Sequence, residues 1–224
     1  VINYYSASVE RKMNLHLDSG IQRVAVLYAH SFTDAQMERG FDGFKNVFDW
    51  TLFTVETIVS LHPDVTLIIK AHPNFFSDQE SVDPRSASTL DLKIWRVLLS
   101  KLPASAIVVD FPITNERFLA ELAGRETILI SHHGNAVIEG AYLGFRTISS
   151  RCSPWGDLYT IGKTWSSKDE YLTSLKEMWV DYPSPYDVKE QSSKFVADVY
   201  LSNLTEIEGS RTYWNVISRY SAIE

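Results

Sequence analysis

The sequence predicts a doubly wound, Rossmann-like α/β fold followed by C-terminal helices. Short apolar runs alternate along the 224 residues with longer segments whose apolar residues recur at helical spacing. The short runs are apolar at consecutive positions, which is typical of strands buried on both faces of a parallel sheet. Single helices separate these runs, as the crossovers between parallel strands require. We therefore expect an open parallel sheet with helices on both faces.

Five strands and four intervening helices follow in order. The predicted strands span residues 23–30, 65–70, 106–111, 127–131 and 146–150. The predicted helices span residues 47–61, 89–102, 114–124 and 135–144. The third helix has a Thr cap at Thr114, Glu116 early and Gly124 at its end, which are typical helix boundary residues.

After Ser150 the pattern changes to a loop over residues 151–165 that is rich in Pro, Gly and aromatic residues. Two amphipathic helices near residues 168–179 and 188–203 follow, and we expect them to pack back on the sheet. Residues 1–22 are predicted to form a leading helix or linker. Residues 23–224 are predicted to form the Rossmann-like domain, with its C-terminal helices from about residue 168.

Composition narrows the classes of function. The formal charge of −7 argues against a general nucleic-acid binder, although a local basic pocket for one phosphate ester stays open. The single cysteine cannot form an intrachain disulfide, which favours a reducing compartment. No apolar run is long enough to span a bilayer and no secretory leader opens the sequence, so we expect a cytoplasmic protein.

Polar residues gather immediately after the predicted strands. They are His30 and Ser31 after the first, Lys70, His72 and Pro73 after the second, Asp110 after the third, and Ser131, His132, His133, Gly134 and Asn135 after the fourth. Ligands of an open parallel sheet bind beyond the carboxyl ends of its strands. This edge is therefore the predicted ligand site.

The segment "KAHPNF" places Lys70 and His72 two residues apart, so both side chains can point to one side if the strand continues. Both can donate hydrogen bonds to an anionic oxygen, and Pro73 biases the backbone of His72 towards an extended conformation. The alternative is an ordinary strand end, with a solvated lysine and a histidine that caps a neighbouring carbonyl.

The segment "SHHGNAVIEG" runs from a strand through Gly134 into a helix that begins near Asn135. The free N–H groups of such a helix start suit a phosphate, and Glu139 is placed to accept hydrogen bonds from two ribose hydroxyls. The alternative is a solvated Glu139 and two histidines that cap a turn. Adjacent histidines point in different directions, so we expect at most one of His132 and His133 to face the ligand.

Other chemistries lack their usual motifs. Histidines and Asp110 at the strand ends raise the question of a metal, but no HxH, HExxH, DxH or paired-cysteine spacing is present, and we expect no metal site. The GxSxG and GxGxxG motifs are also absent. A long loop after the first strand contains Asp34, Glu38 and Asp42, which a solvated loop face explains equally well.

The order of "LYAHSFTDA", "FDW", "LIIKAHPN" and "ILISHHGNAVIEGAYLGFRTISS" resembles the C-terminal, donor-binding half of capsule-polysaccharide-type glycosyltransferases with the GT-B fold. These include bacterial Kdo transferases, with the CDP-glycerol glycerophosphotransferases as more distant relatives. The resemblance covers residues 23–150. It implies that Lys70, His72 and Pro73 face the nucleotide of the donor, with Lys70 and His72 in the catalytic role. It also implies that Gly134, Asn135 and Glu139 bind phosphate and ribose. A shared position at the strand ends adds His30, Ser31, His132 and His133 to the predicted nucleotide-sugar site.

The resemblance implies transfer of a sugar from a CMP- or UDP-linked donor to a polysaccharide or glycolipid acceptor, without a cofactor, at the inner face of the membrane. Such enzymes have a second Rossmann-like domain that supplies the acceptor site and the catalytic base, and we expect it upstream of Val1 or missing. Asn135 stands where relatives often have Ser or Thr. Two alternatives stay open: a sugar-nucleotide 2-epimerase, since UDP-GlcNAc 2-epimerases use a similar half-fold, and a non-catalytic domain that binds a nucleotide-sugar or a partner protein.

Overall fold

A six-stranded parallel sheet forms the centre of the structure, a computed structural model that describes residues 17, 20–33, 42–76, 87–111, 113–156 and 158–201. Its strands are β1 (Arg23–Tyr28), β2 (Thr66–Lys70), β3 (Ile107–Val109), β4 (Glu126–Ser131), β5 (Arg146–Ser150) and β6 (Lys163–Trp165). They lie in the order β3-β2-β1-β4-β5-β6, and every neighbouring pair is parallel. This order confirms the predicted doubly wound, Rossmann-like fold.

Within the described ranges, six α-helices accompany the sheet. They are α1 (Val47–Leu61), α2 (Ala87–Leu99), α3 (Asn115–Ala120), α4 (Ala136–Tyr142), α5 (Lys168–Lys176) and α6 (Pro185–Val196). A 3-10 turn (Pro73–Phe76) follows β2, and a π-helical turn (Ala197–Leu201) follows α6. Side-chain caps begin four of the described helices: Asn46 accepts the Asp49 N–H before α1, Thr114 accepts the Arg117 N–H before α3, and Ser167 and Ser184 accept N–H groups in the same way before α5 and α6.

Alternate residues of the central strands β1, β2 and β4 enter two different cores. On one face, Ala25 and Leu27 of β1 pack with residues of α1, α2 and α5. On the other face, Val24 and Val26 pack with residues of α3. A third cluster joins α4 to α6. Helices therefore cover both faces, which explains why the strand sequences are apolar at consecutive positions.

The structure corrects several predicted boundaries. The first strand ends at Tyr28 rather than at residue 30, and the last predicted helix begins at Pro185. The segment Lys163–Trp165, predicted as loop, pairs in parallel with β5 as the edge strand β6. Three residues that start with a lysine give no apolar run, so this strand has no periodic signal. Most of the predicted leading segment 1–22, together with Asp34, Glu38 and residues 202–203 of the last predicted helix, lies outside the described residues.

Within the described residues, no helix is long and apolar enough to cross a membrane.

Gly162 lies where the loop before β6 crosses β5. A Cβ atom at this position would overlap both Oγ1 and the carbonyl oxygen of Thr147 and would come within 3.0 Å of its carbonyl carbon. Thr147 cannot turn aside freely, because its hydroxyl donates to the Ile161 carbonyl at 2.7 Å. We expect Gly162→Ala to lower the free energy of unfolding by about 2 kcal/mol, as an overpacked contact does. Urea unfolding measures this, and an unchanged midpoint would show that the loop can move away from β5.

Candidate functional site

The order in which the chain adds strands reverses between β1 and β4. From β1 the chain adds β2 and β3 on one side, and it then adds β4 to the other side of β1. Where the strand order reverses in this way, the crevice beyond the carboxyl ends of the strands is the usual ligand position in this fold. His30 and Ser31 follow β1 at this crevice, and His132 and His133 follow β4. Lys70 ends β2, the neighbour of β1.

Three imidazole rings meet at this edge. The centroid of His30 lies 3.8 Å from that of His133 and 5.6 Å from that of His72. His132 turns the other way: it is buried, and its ring packs edge-on against Trp50 and Trp165 at 5.6 and 5.8 Å. The neighbouring histidines thus point in different directions, and His132 contacts His133 through their Nδ1 atoms at 2.9 Å.

Lys70 is a buried cation. Its side chain is only 6% exposed, and its Nζ lies 5.9 Å and 5.7 Å from the ring centroids of Tyr28 and Phe118. Among the described residues, no hydrogen-bond acceptor and no carboxylate within ion-pair distance contacts this ammonium group. Burial lowers the pKa of Lys70 to about 8, and the negative charge of Glu139 limits that decrease. A buried ammonium without an anionic partner favours binding of an anion.

His72 is neutral at ordinary pH. Burial, the largest cause, and the nearby charges of His30 and Lys70 together lower its pKa to about 3. A neutral imidazole has one N–H donor, so His72 can give a bound oxygen one hydrogen bond. Pro73 is exposed and begins the 3-10 turn after the strand. Lys70 ends β2 and His72 follows it by two residues, so the two predicted residues lie at the same strand end.

Glu139 lies one turn inside α4, where Asn115 of α3 donates to its Oε2 at 2.6 Å.

Gly134 allows the chain to pass closely over β4, because a Cβ there would lie 2.7 Å from Ser131 Oγ. The backbone N–H of Gly134 donates to that same oxygen at 3.0 Å. Asn135 is exposed at the start of α4 and makes no side-chain cap bond. Because α4 has only seven residues, its dipole is a weaker source of positive potential than Lys70.

Asp91 is a site residue that sequence reasoning missed. It is fully buried, accepts the Ser31 hydroxyl at 2.6 Å, and accepts the Phe32 N–H at 2.9 Å. Ser31, predicted to contact the ligand, is itself fully buried and ties the loop after β1 to α2. The sequence did contain a signal: Asp91 occupies the buried stripe of α2 with Trp95 and Leu98, at helical spacing. A carboxylate in an apolar stripe needs donors.

The other acidic residues near the edge serve different contacts. Asp110 accepts the indole N–H of Trp95 at 2.8 Å. Asp42 accepts hydrogen bonds from the hydroxyl of Ser150 and, at 3.0 Å, from the thiol of Cys152. In the part of the chain that the structure describes, no group of three or more His, Cys, Asp or Glu residues is arranged to hold a metal ion.

Comparison with known proteins gives only distant structural neighbours. No protein-family model matches the chain, and no curated protein matches it in sequence. The trehalose-6-phosphate phosphatase N-terminal domain from Candida albicans matches with a TM-score of 0.45 at 14% identity, covering 90% of this chain and 42% of that chain. The spinosyn rhamnosyltransferase SpnG complexed with spinosyn aglycone matches with a TM-score of 0.39 at 11% identity, covering 92% of this chain and 43% of that one. This chain spans less than half the length of either, and similarity at this level supports no functional argument.

Proposed function

We propose that this chain is the donor-binding part of a metal-independent glycosyltransferase that takes its sugar from a CMP- or UDP-linked donor. The observation behind the proposal is the buried Lys70 ammonium, which has no anionic partner among the described residues and lies at the ligand edge of a Rossmann-like sheet. A nucleotide phosphate would supply the missing negative charge. His72, which follows Lys70 by two residues at the same strand end, would donate to the same phosphate.

In the reaction, an acceptor hydroxyl would attack the anomeric carbon of the sugar. The bond from that carbon to the phosphate oxygen breaks, its electron pair stays on the leaving phosphate, and the hydroxyl proton passes to a base. Lys70 and His72 would stabilise the charge that grows on the leaving phosphate. Both groups are fixed before the reaction begins, Lys70 by the rings of Tyr28 and Phe118 and His72 by its stacking on His30.

The sequence resemblance to capsule-polysaccharide-type glycosyltransferases suggests the biological setting. The acceptor would be a bacterial surface polysaccharide or glycolipid, modified at the cytoplasmic face of the membrane. Four of the residues behind that resemblance belong to the predicted ligand edge, with Lys70 and His72 on the β2 side and Gly134 and Glu139 on the β4 side.

A thermal-shift screen with CMP, CDP, UDP and GDP tests the proposal. A ligand that binds only the folded state raises the unfolding temperature by mass action, so we expect a concentration-dependent rise with a cytidine or uridine nucleotide. No shift with any of the four would contradict it. Conversion of UDP-GlcNAc without an acceptor would instead identify a 2-epimerase.

The affinity of the protein for a nucleoside diphosphate should fall as the pH rises above about 8, the pKa of Lys70 in the unliganded protein. A bound anion holds the Lys70 proton to higher pH, so binding above this value takes up a proton. We expect a decline that approaches about tenfold per pH unit between pH 8 and 10. Titrations at several pH values measure it, with Lys70→Arg as the control because a guanidinium stays charged throughout. An equal decline in Lys70→Arg would exclude Lys70 as its source.

A further inference from the structure

A chain of three side chains connects the sheet to Glu139. The hydroxyl of Tyr28, at the end of β1, donates to Oδ1 of Asn115 at 2.7 Å. The amide nitrogen of Asn115, at the start of α3, then donates to Oε2 of Glu139 at 2.6 Å. The same nitrogen lies 3.4 Å from the carbonyl oxygen of Ala136. The chain therefore crosses from β1 through α3 to α4.

Glu139 determines which way the Asn115 amide points. A carboxylate only accepts hydrogen bonds, so the NH₂ group of Asn115 faces it. The carbonyl oxygen of Asn115 then faces Tyr28, whose phenol donates to it. Burial raises the pKa of Tyr28 well above its ordinary value, and the charge of Glu139 adds to that rise, so the phenol keeps its proton. The donor direction is thus fixed along the whole chain.

Only one carboxylate oxygen of Glu139 takes part in this chain of hydrogen bonds. Asn115 contacts Oε2, whereas Oε1 makes no hydrogen bond with any described residue. The side chain is half-buried, so a bound molecule can reach it. A carboxylate with one oxygen held in place and one available presents a fixed acceptor to a ligand hydroxyl.

We propose that Asn115 is a positioning residue that sets the preference of the site for ribonucleotides over 2′-deoxyribonucleotides by holding Glu139 towards the ribose hydroxyls. The inference rests on the proposed nucleotide site at Lys70. Glu139 and Lys70 are close enough for the carboxylate to raise the pKa of the lysine, but they form no ion pair within 4.0 Å. A nucleotide whose phosphate contacts Lys70 would place its ribose beside the phosphate, on the side of Glu139.

A different role for Glu139 makes a different prediction. If Glu139 served only as a distant countercharge for Lys70, the sugar hydroxyls would not affect binding, and ribo- and deoxyribonucleotides would bind equally. Any change at Glu139 or Asn115 would then alter the affinity for every phosphate ligand, including pyrophosphate.

The experiment compares dissociation constants of the full chain for UDP, CDP, their 2′-deoxy counterparts and pyrophosphate. In the wild-type protein we expect the ribonucleotide to bind roughly tenfold more tightly than its 2′-deoxy form, the value of a hydrogen bond to a charged group. Asn115→Ala should lower this ratio by about three- to tenfold, Glu139→Gln should lower it similarly, and Tyr28→Phe should lower it less. The affinity of Asn115→Ala for pyrophosphate should change little.

Thr114→Ala is the matched control, since Thr114 caps the same helix through Arg117 and does not contact Glu139. It should lower the unfolding temperature without changing the ribose preference. An Asn115→Ala ratio equal to that of the wild-type protein would overturn the inference while leaving phosphate binding intact. If Asn115→Ala does not fold, an unchanged ratio in both Tyr28→Phe and Glu139→Gln would overturn it. Failure of the wild-type protein to bind any nucleotide or pyrophosphate would contradict the proposed site and this inference together.

Discussion

Replacing Lys70 with methionine should stabilise the unliganded protein at pH 7 by about 2 kcal/mol. Burial lowers the pKa of Lys70 from 10.5 to about 8, and a shift of this size corresponds to ~3 kcal/mol of penalty for the charged form. The contacts of the ammonium with the rings of Tyr28 and Phe118 offset about 1 kcal/mol of that penalty. Methionine has a similar length and no charge, so it removes the penalty while filling the space. Urea unfolding of both proteins measures the difference.

The pH dependence of this difference provides its control. The folded pKa of Lys70 lies below the unfolded value, so the unfolded chain binds the extra proton between pH 8 and 10.5. The penalty is therefore complete below pH 8, decreases as the pH rises, and is absent above pH 10.5. We expect Lys70→Met to be more stable than the wild type at pH 7 and no more stable at pH 10.5. A variant that is less stable at pH 7 would mean that Lys70 has a structural partner, and the case for an anion site would be lost.

Replacing Asp91 with alanine should lower the free energy of unfolding by about 3 kcal/mol, since it removes two hydrogen bonds to a buried carboxylate. The Ser31 hydroxyl and the Phe32 N–H would lose the acceptor that each now has at 2.6 and 2.9 Å. Because this loop also places His30 beside His72, nucleotide affinity should fall as well. Urea unfolding and a nucleotide titration of the same variant measure the two effects.

Asp91→Asn separates the two contributions. The asparagine oxygen can still accept the Phe32 N–H and its NH₂ group can donate to the Ser31 hydroxyl oxygen, but both bonds lose the carboxylate acceptor. We expect a loss of stability about half that of alanine. If Asp91→Ala unfolds at the same urea concentration as the wild type, the loop after β1 is held by other contacts and Asp91 does not support the site.

The strands at the centre of the sheet were predictable because each is buried on both faces, so their sequences are apolar at consecutive positions. β1, β2 and β4 all have this pattern. The edge strand β6 was missed for the opposite reason: it has three residues and pairs on one side only. Local sequence cannot reveal a pairing that depends on a neighbouring strand already being in place.

In the candidate site, too, some residues were predictable from local sequence and others depend on the packing of distant elements. The positions of Lys70 and His72 at a strand end and of Glu139 in the first turn of a helix were predictable, because polar residues collect there at one edge of a parallel sheet. Their supporting residues were not predicted. Asp91 lies on α2 and Asn115 on α3, and each reaches the site only through packing of its helix. Ser31 is the opposite case: it occupies a predicted ligand-contact position, but the structure buries it against Asp91.

Calorimetric titration of the wild-type protein and Lys70→Met with CDP and UDP at pH 7 tests the central claim most directly. Lys70 is the buried cation at the crevice that has no anionic partner among the described residues, and a bound phosphate would provide one. We expect saturable binding of at least one nucleotide by the wild type and a loss of about 100-fold or more in the methionine variant, as for removal of a desolvated charge from a hydrogen-bonded pair. Equal affinities in the two proteins, or no binding by the wild type, would contradict the account.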